Sequence, residues 1–550
     1  MSDRCFIGVD VGTGSARAGV FDEAGALLGA AKQTIATWYE PGDIAEQSSD
    51  DVWRAVAIAV RGAVSGSGVS PAAIAGLGFA ATCSLVVVDR RGRPLAVGPS
   101  EDPARNIIVW MDHRALDQAR RINLTEEAVL RYVGGIISPE METPKLLWLK
   151  EHRPAIFSAA GHFFDLPDFL TWRATGSLDR SACTVTCKWT YLAHERRWDP
   201  AYFRRIGLGE LAEEGFARIG SKVVDVASPV GSGLTAEAAA DLGLIAGIPV
   251  GAALIDAHAG GLGTVGGAAS TGEPFSVESR IAYVFGTSAC IMATTREATF
   301  VPGIWGPYFS AMVPGLWLNE AGQSAAGAAL DQLLTLHPAA SQAAEQASQS
   351  GRALLAFLED IAIEDSDSMS TVAKLARDIH VMPEFLGNRS PHADPDARAM
   401  VAGLGLERDI ASLVKLYVAG LCGLAYGARQ VLEALRAREL RLNTLIISGG
   451  AAQSRLVRQI LADVTRLDVA VAVTPEPVLL GAAMLGAVAA ARFRSLEDAM
   501  RSMSQLGPLC TPVMGNMRAF HEAKYKVYEL LQSTERQARA VMAPFATDQE

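Results

Sequence analysis

The chain has 550 residues, 49% of them hydrophobic, 20% charged and 7% aromatic, with a formal charge of −11. That length exceeds what one hydrophobic core supports and argues for several domains, while the composition excludes a disordered or fibrous chain. The charge is spread without a Lys/Arg stripe or an acidic tail, which argues against a nucleic-acid partner or an electrostatic membrane surface and favours small-molecule chemistry.

Residues 5–11 and 16–21 read as apolar strands joined by the turn Gly12-Thr13-Gly14, and after a second turn at Asp22-Glu23-Ala24-Gly25 residues 26–30 complete an antiparallel meander. Met1 leads straight into this pattern without the charged and apolar regions of a signal peptide, so no export is expected. Helical spacing marks residues 49–65, 126–133 and 144–150, and strands are expected at 74–81 and 85–88. The weakly charged stretch 243–268 is long enough for a membrane, but it holds Pro249, Asp256, His258 and many glycines. A buried strand, turn and helix explain it better.

A second meander, residues 280–285, Gly286-Thr287-Ser288 and 289–294, repeats the opening pattern about 275 residues later and hints at duplication. A strand at 444–447, the turn Gly449-Gly450-Ala451, a helix from about 454 to 464 and a short strand at 469–473 follow. The small, apolar run 478–491 suits a helix packed closely on a sheet, and the polar helical tail 517–542 is expected to cap the surface. The seven cysteines, Cys5, Cys83, Cys183, Cys187, Cys290, Cys422 and Cys510, form no CxxC pair and no Cys/His cluster at zinc spacing. They suit a reduced cytoplasm, with Cys183 and Cys187 read as two free thiols.

Four constellations carry chemistry. Asp10-Val11-Gly12-Thr13-Gly14-Ser15-Ala16-Arg17 lies between two strands, which excludes a Rossmann fingerprint, and no Gly-Lys-Ser/Thr follows, which excludes a Walker A loop. Gly12 and Gly14 let backbone N–H groups approach phosphate oxygens, Thr13 and Ser15 add hydroxyls, and Asp10 is placed to hold Mg²⁺ through water. An ordinary glycine-rich hairpin explains the segment equally well in isolation. Gly286-Thr287-Ser288 is the opposing phosphate clamp if the halves are duplicates. Ser448-Gly449-Gly450-Ala451 permits a flat nucleoside to lie against backbone, or is simply a tight strand-to-helix turn. Finally, Asp256 ends the apolar run Ala253-Leu254-Ile255, where open α/β sheets face their ligands. A carboxylate there can accept the proton of a sugar hydroxyl as a P–O bond forms; a helix N-cap is the plainer alternative. His258 reads as an ordinary packed histidine.

Together these segments, with Gly387-Asn388-Arg389-Ser390-Pro391 and the following Asp394, resemble the FGGY family of carbohydrate kinases, of the actin-like, RNase H-like ATPase fold, over nearly the whole chain. Within that family the resemblance is to the D-ribulokinase branch. It is carried by Gly78-Phe79-Ala80-Ala81-Thr82-Cys83-Ser84-Leu85, Trp110-Met111-Asp112-His113-Arg114, Asp165-Leu166-Pro167-Asp168-Phe169-Leu170, Cys187-Lys188-Trp189-Thr190-Tyr191, and Trp305-Gly306-Pro307-Tyr308 through Asn319-Glu320. The resemblance implies an α/β fold of two actin-like domains with a deep interdomain cleft that closes on substrate. Residues 1–268 would carry the sugar and the base, 269–515 the adenine, and 516–550 a helical tail.

It further implies ATP and Mg²⁺ as cofactors, a sugar and ATP as the partners with no nucleic acid or membrane, a homodimer as the assembly to consider, and a cytoplasmic location. The expected reaction is phosphorylation of a ketopentose, D-ribulose to D-ribulose 5-phosphate; another ketose or polyol such as L-ribulose, D-xylulose or a sugar alcohol is the alternative, and a non-catalytic sugar or nucleotide sensor is a further one. By the resemblance Asp256 is the catalytic base and Asp10 holds Mg²⁺. Gly12, Thr13, Gly14, Ser15, Arg17, Gly286, Thr287 and Ser288 hold the ATP phosphates, and Gly449, Gly450 and Ala451 the adenosine. Thr82, Cys83, Lys188, Asp256 and Glu320 contact the sugar; without the family, Lys188 and Glu320 read as a surface ion pair. Many members have Gly-Gly-Gly-Asp-Asn around the acid where this chain has Ala252-Ala253-Leu254-Ile255-Asp256-Ala257-His258, so only the acid itself transfers.

Overall fold

The computed structural model describes residues 4–267 and 276–545. The expected boundary between residues 268 and 269 lies outside them. Two sheets organise the chain. In the first, the strand order is Val250–Ile255, Ile74–Ala81, Cys5–Val11, Ser15–Phe21, Leu27–Thr34. The opening meander is antiparallel, and Ile74–Ala81 and Val250–Ile255 add parallel to Cys5–Val11 on its other side.

The second sheet repeats this plan. Trp317–Gln323, Ala289–Thr295 and Arg280–Phe285 form an antiparallel meander, and Thr444–Ser448 and Asp468–Val471 add in parallel. Only the extra edge strand Trp305–Phe309 breaks the match. Identical order and sense in two sheets bear out the duplication that the recurring strand, Gly-Thr turn and strand suggested.

Every residue of Cys5–Val11 is buried because both faces of the strand are covered. Ile7, Val9 and Val11 pack with the helix Ser49–Ser67, while Phe6 packs with the helix Pro477–Ala489 on the opposite face. The period of two therefore sends Asp10 toward the start of that second helix. In the same way Ile281, Tyr283 and Phe285 face the long helix Ile410–Arg436, and Ala282 faces the other way. Ile410–Arg436 is long and apolar enough to cross a membrane by length and composition, but most of it is buried within the second unit.

The helices Asp256–Val265 and Pro477–Ala489 pack on one another between the two sheets. Their approach is so close that a Cβ on Gly481 would overlap the carbonyl oxygen of Ala259. This explains the small-residue run expected at 478–491: the helix must touch backbone on two sides. Although it falls in the second half of the sequence, it packs on the first sheet.

A smaller five-stranded sheet, Trp38–Glu40, Ile44–Gln47, Ile107–Ile108, Leu85–Asp89 and Ala160–Asp165, stands beside the first. Thr82, Cys83 and Ser84 are the link between the two, since they join Ile74–Ala81 to Leu85–Asp89. Two expectations need correction. Residues 126–133 form a short 3₁₀ turn, Ala128–Val133, not an α-helix. The tail, Asn516–Met542, does more than cap: Met517, Tyr525, Tyr528 and Leu531 enter the core around Ile410–Arg436, and Lys524 Nζ donates to the carbonyls of Ala376 (2.5 Å) and Ile379 (2.8 Å). Its apolar face is wide enough to be buried, so it is an integral helix of the second unit.

Candidate active site

Two turns, one from each duplicate, face a common cavity of about 350 Å³. In the first hairpin Gly12 N–H donates to Ser15 O (3.0 Å), and in the second Gly286 N–H donates to Ser288 O (2.9 Å), so a glycine closes each hairpin and the second turn is one residue shorter. Gly12, Thr13, Gly286, Thr287 and Ser288 line the cavity. Gly14 and Ser15 do not: Gly14 O accepts from Ile35 N–H (3.2 Å) and Ser15 pairs with Thr34, which commits both to the sheet. Thr13 is fixed from outside, its hydroxyl accepting from Trp110 Nε1 (3.0 Å) and its carbonyl from Gln47 Nε2 (2.6 Å).

Asp10 and Arg17 are cross-strand partners in the first hairpin. Arg17 donates to Asp10 Oδ2 through Nε (3.1 Å) and Nη2 (2.5 Å), and its Nη1 donates to Glu476 Oε2 (2.9 Å), just before the helix Pro477–Ala489. Arg17 lines the cavity with the two turns, and its guanidinium also ties the hairpin to the second half of the chain. Burial pushes the Asp10 carboxyl up, and Arg17 opposes this. Its other oxygen, Oδ1, is buried without a hydrogen-bond partner among the described residues.

Asp256 sits at the first position of the helix Asp256–Val265, directly after Val250–Ile255, and Oδ1 accepts from Ala257 N–H (2.7 Å). Ile255, not Asp256, holds the cap position. Burial, and then the nearby Asp10 carboxylate, push Asp256 up to about 7, which leaves a carboxyl that gains and loses its proton near neutrality. The helix N-terminus offsets part of that cost.

The opposite wall is built by both halves of the chain. Lys188 comes from the helix Ala182–Trp189, and Glu320 from the strand Trp317–Gln323, in register with Trp305 on the neighbouring edge strand. They are 4% and 6% exposed, which excludes a surface pair, and among the described residues no ion pair joins them directly. Lys188 Nζ lies 4.8 Å from the centre of the Trp305 ring, and Arg389 approaches the same ring at 5.5 Å. Burial would raise the Glu320 carboxyl, but Lys188, His258 and Arg389 hold it at about 2. Burial would likewise discharge Lys188, and the neighbouring Glu320 carboxylate keeps it charged; the Cys83 thiol, pushed up by its own burial, carries no charge near neutrality. Thr82 and Cys83 complete the set, so all five residues expected to contact sugar line one cavity.

The cavity therefore offers fixed donors in Lys188 and Arg389, a fixed acceptor in Glu320, and one proton-accepting group in Asp256. A second cavity of about 830 Å³ adjoins it and shares Gly286 and Thr287. Gly450 and Ala451 line this one, with Ala328, Leu330 and Tyr417 among its apolar walls. Gly449 does not line it; its φ of 90° turns the chain over Phe285, whose carbonyl a Cβ there would strike.

Sequence reasoning passed over several wall residues. Glu140, Trp110, Trp305, Cys290 and Arg389 all line the first cavity. Trp110, Trp305 and Arg389 lay in segments that carried the family resemblance, and no local pattern separated them from structural residues. His258, read as a packed histidine, is indeed buried, yet it bridges Cys183 (Sγ to Nδ1, 3.1 Å) and Glu320 (Nε2 to Oε2, 3.2 Å).

Residues 5–263 match the N-terminal domain, and residues 281–490 the C-terminal domain, of the FGGY family of carbohydrate kinases. An FGGY carbohydrate kinase domain-containing protein of Homo sapiens is 44% identical over 547 residues, covering 98% of each chain. A D-ribulokinase of Saccharomyces cerevisiae is 36% identical over 517 residues, covering 89% of this chain and 72% of that protein. Among solved structures, a xylulose kinase from Brucella ovis superposes with a TM-score of 0.78 at 21% identity, covering 97% of this chain and 100% of the other, a likeness of fold. The chain belongs to the FGGY family of carbohydrate kinases and has its fold of two actin-like domains.

Proposed function

We propose that this carbohydrate kinase transfers the γ-phosphoryl group of ATP to O5 of D-ribulose, giving D-ribulose 5-phosphate and ADP, with Asp256 as the general base. One observation carries the reading: a single cavity is lined by both hairpin turns, by Asp256, and by the polar wall of Lys188 and Glu320. The D-ribulokinase similarity supports the choice of sugar. The division at residues 268 and 269, with sugar chiefly in the first unit and adenine in the second, is part of the same proposal, as is closure of the cleft over both substrates.

The nucleotide lies along the adjoining cavity, with adenosine at Gly450 and Ala451 and its phosphates between the two turns. The sugar occupies the space between Asp256 and Trp305. As the new P–O5 bond forms, the bond from the γ-phosphorus to the bridging oxygen breaks, and the O5 proton passes to Asp256. Lys188 and Arg389 donate to sugar oxygens, and Glu320 accepts from a sugar hydroxyl. Asp10 fits the Mg²⁺ such kinases use, because its Oδ1 is a buried acceptor left free by the Arg17 contacts to Oδ2. Bound there, the ion would neutralise phosphate charge.

A coupled ADP-release assay over ketopentoses and polyols tests the reading. D-ribulose-dependent ADP formation that requires Asp256 is expected. ADP release with every other sugar in the panel but not with D-ribulose would overturn the choice of substrate.

A further inference from the structure

We propose that Cys183, Cys187 and His258 form a binding site for one thiophilic divalent metal ion, of the zinc or cadmium class, directly behind the sugar-binding wall. Among the described residues they are the one group of three or more His, Cys or carboxylate side chains placed to hold a metal, with all ligand atoms within 4.8 Å of one another. Each is fully buried. The donor set differs in kind from the oxygens around Asp10: two sulfurs and an imidazole select zinc, cadmium or cuprous ions over magnesium.

The geometry follows from the chain. Cys183 and Cys187 are four apart on the helix Ala182–Trp189 and so share a face, and His258 enters from the helix Asp256–Val265 against which that face is turned. Tetrahedral zinc, with bonds of about 2.3 Å to sulfur and 2.0–2.1 Å to nitrogen, sets sulfur and nitrogen about 3.6 Å apart. Cys183 Sγ and His258 Nδ1, now 3.1 Å apart, need to separate by only about half an ångström.

His258 is also oriented as a metal-binding histidine is. Its Nε2 faces Glu320 Oε2 at 3.2 Å, and a carboxylate there fixes the Nε2–H tautomer and leaves the Nδ1 lone pair directed at the sulfurs. Ile255 N–H reaches Cys183 Sγ (3.5 Å), a contact that favours the thiolate. A divalent ion on two thiolates is neutral overall, so the dry surroundings penalise it little, and binding releases the protons now shared in the cluster. Glu320 belongs to the second unit and the three ligands to the first. The cleft motion that belongs to the function proposed above would uncover the back of His258 and give the ion its path.

Titration of the purified, magnesium-free kinase with Cd²⁺, followed by the ultraviolet cadmium–thiolate charge-transfer band, tests the site. The band should saturate at one ion per chain, persist in Cys510→Ser and vanish in the Cys183→Ser/Cys187→Ser double variant. Glu320→Gln should keep the band but weaken binding about 10–100-fold, the usual cost of losing an outer-shell partner. No band in the wild-type protein, or an undiminished band in a double variant whose circular dichroism matches wild type, would overturn the proposal; the wild-type titration decides even if the double variant does not fold.

Discussion

Replacing Asp256 by Asn separates the base from the fold. The amide retains an oxygen for Ala257 N–H, the one hydrogen bond that Asp256 accepts at the helix start, so the local geometry is kept. What is lost is proton acceptance, which is worth about 10²–10⁴ in rate, or about 3–5 kcal/mol of barrier. Turnover should fall by that factor in a coupled assay while nucleotide affinity, read by calorimetry, stays within about twofold of wild type.

Stability gives a second reading with opposite sign. The folded protein holds the Asp256 proton up to about pH 7, against an ordinary value of 3.8, because of burial and then Asp10. Wild type therefore loses stability relative to the Asn variant as pH rises from about 4 to about 7, and the gap is constant above that. That interval corresponds to at most about 4 kcal/mol, less whatever the water in the cleft screens. An Asn variant that melts no lower than wild type at pH 8 yet turns over poorly fits the account; near-normal turnover would refute it.

Asp10→Ala should raise the KM for Mg·ATP and the Mg²⁺ requirement far more than it changes sugar affinity, and equal losses on both substrates would contradict the assignment of the free Oδ1 to the metal side. Gly481→Ala sets a Cβ against the Ala259 carbonyl, so urea unfolding should show a loss of about 1–3 kcal/mol; an unchanged midpoint would mean the two helices are not locked together. Arg539 donates to Asp394 through Nη1 (3.0 Å) and to Glu535 through Nε (2.9 Å), and Glu535 in turn accepts from Arg398 N–H (3.1 Å). These contacts hold the segment that delivers Arg389, so Arg539→Ala should raise the KM for sugar with little change in the KM for ATP, and Arg539→Lys should restore part of it.

The hairpins were legible in the sequence because everything that makes them is local: a short apolar run, a glycine turn and a second apolar run. The duplication showed only as a faint echo at Gly286-Thr287-Ser288, and the matching sheet orders made it plain. Asp256 stood out because an acid ending a wholly apolar strand has no packing reason to be there. Lys188 and Glu320 had no such mark. They are 132 residues apart in sequence, and only the crossing of two domains at Trp305 makes them neighbours. Arg17 shows a different limit. The resemblance made it a phosphate ligand, and it does line the cavity, but only the fold reveals that cross-strand register pairs it with Asp10 and that tertiary packing brings Glu476 to it. Nor could spacing reveal the Cys183, Cys187 and His258 cluster, whose third member arrives 71 residues after the second.

The proposal that D-ribulose is the substrate is tested most directly by kcat/KM for D-ribulose, D-xylulose and L-ribulose measured side by side, with the phosphorylated carbon of each product identified. Lys188, Asp256 and Glu320 are fixed by packing, so an epimer leaves at least one buried polar group unpaired, at about 1–3 kcal/mol. A preference of about ten- to a hundredfold for D-ribulose, with phosphate on O5, is the predicted result. Equal values, or a clear preference for D-xylulose or L-ribulose, would contradict it.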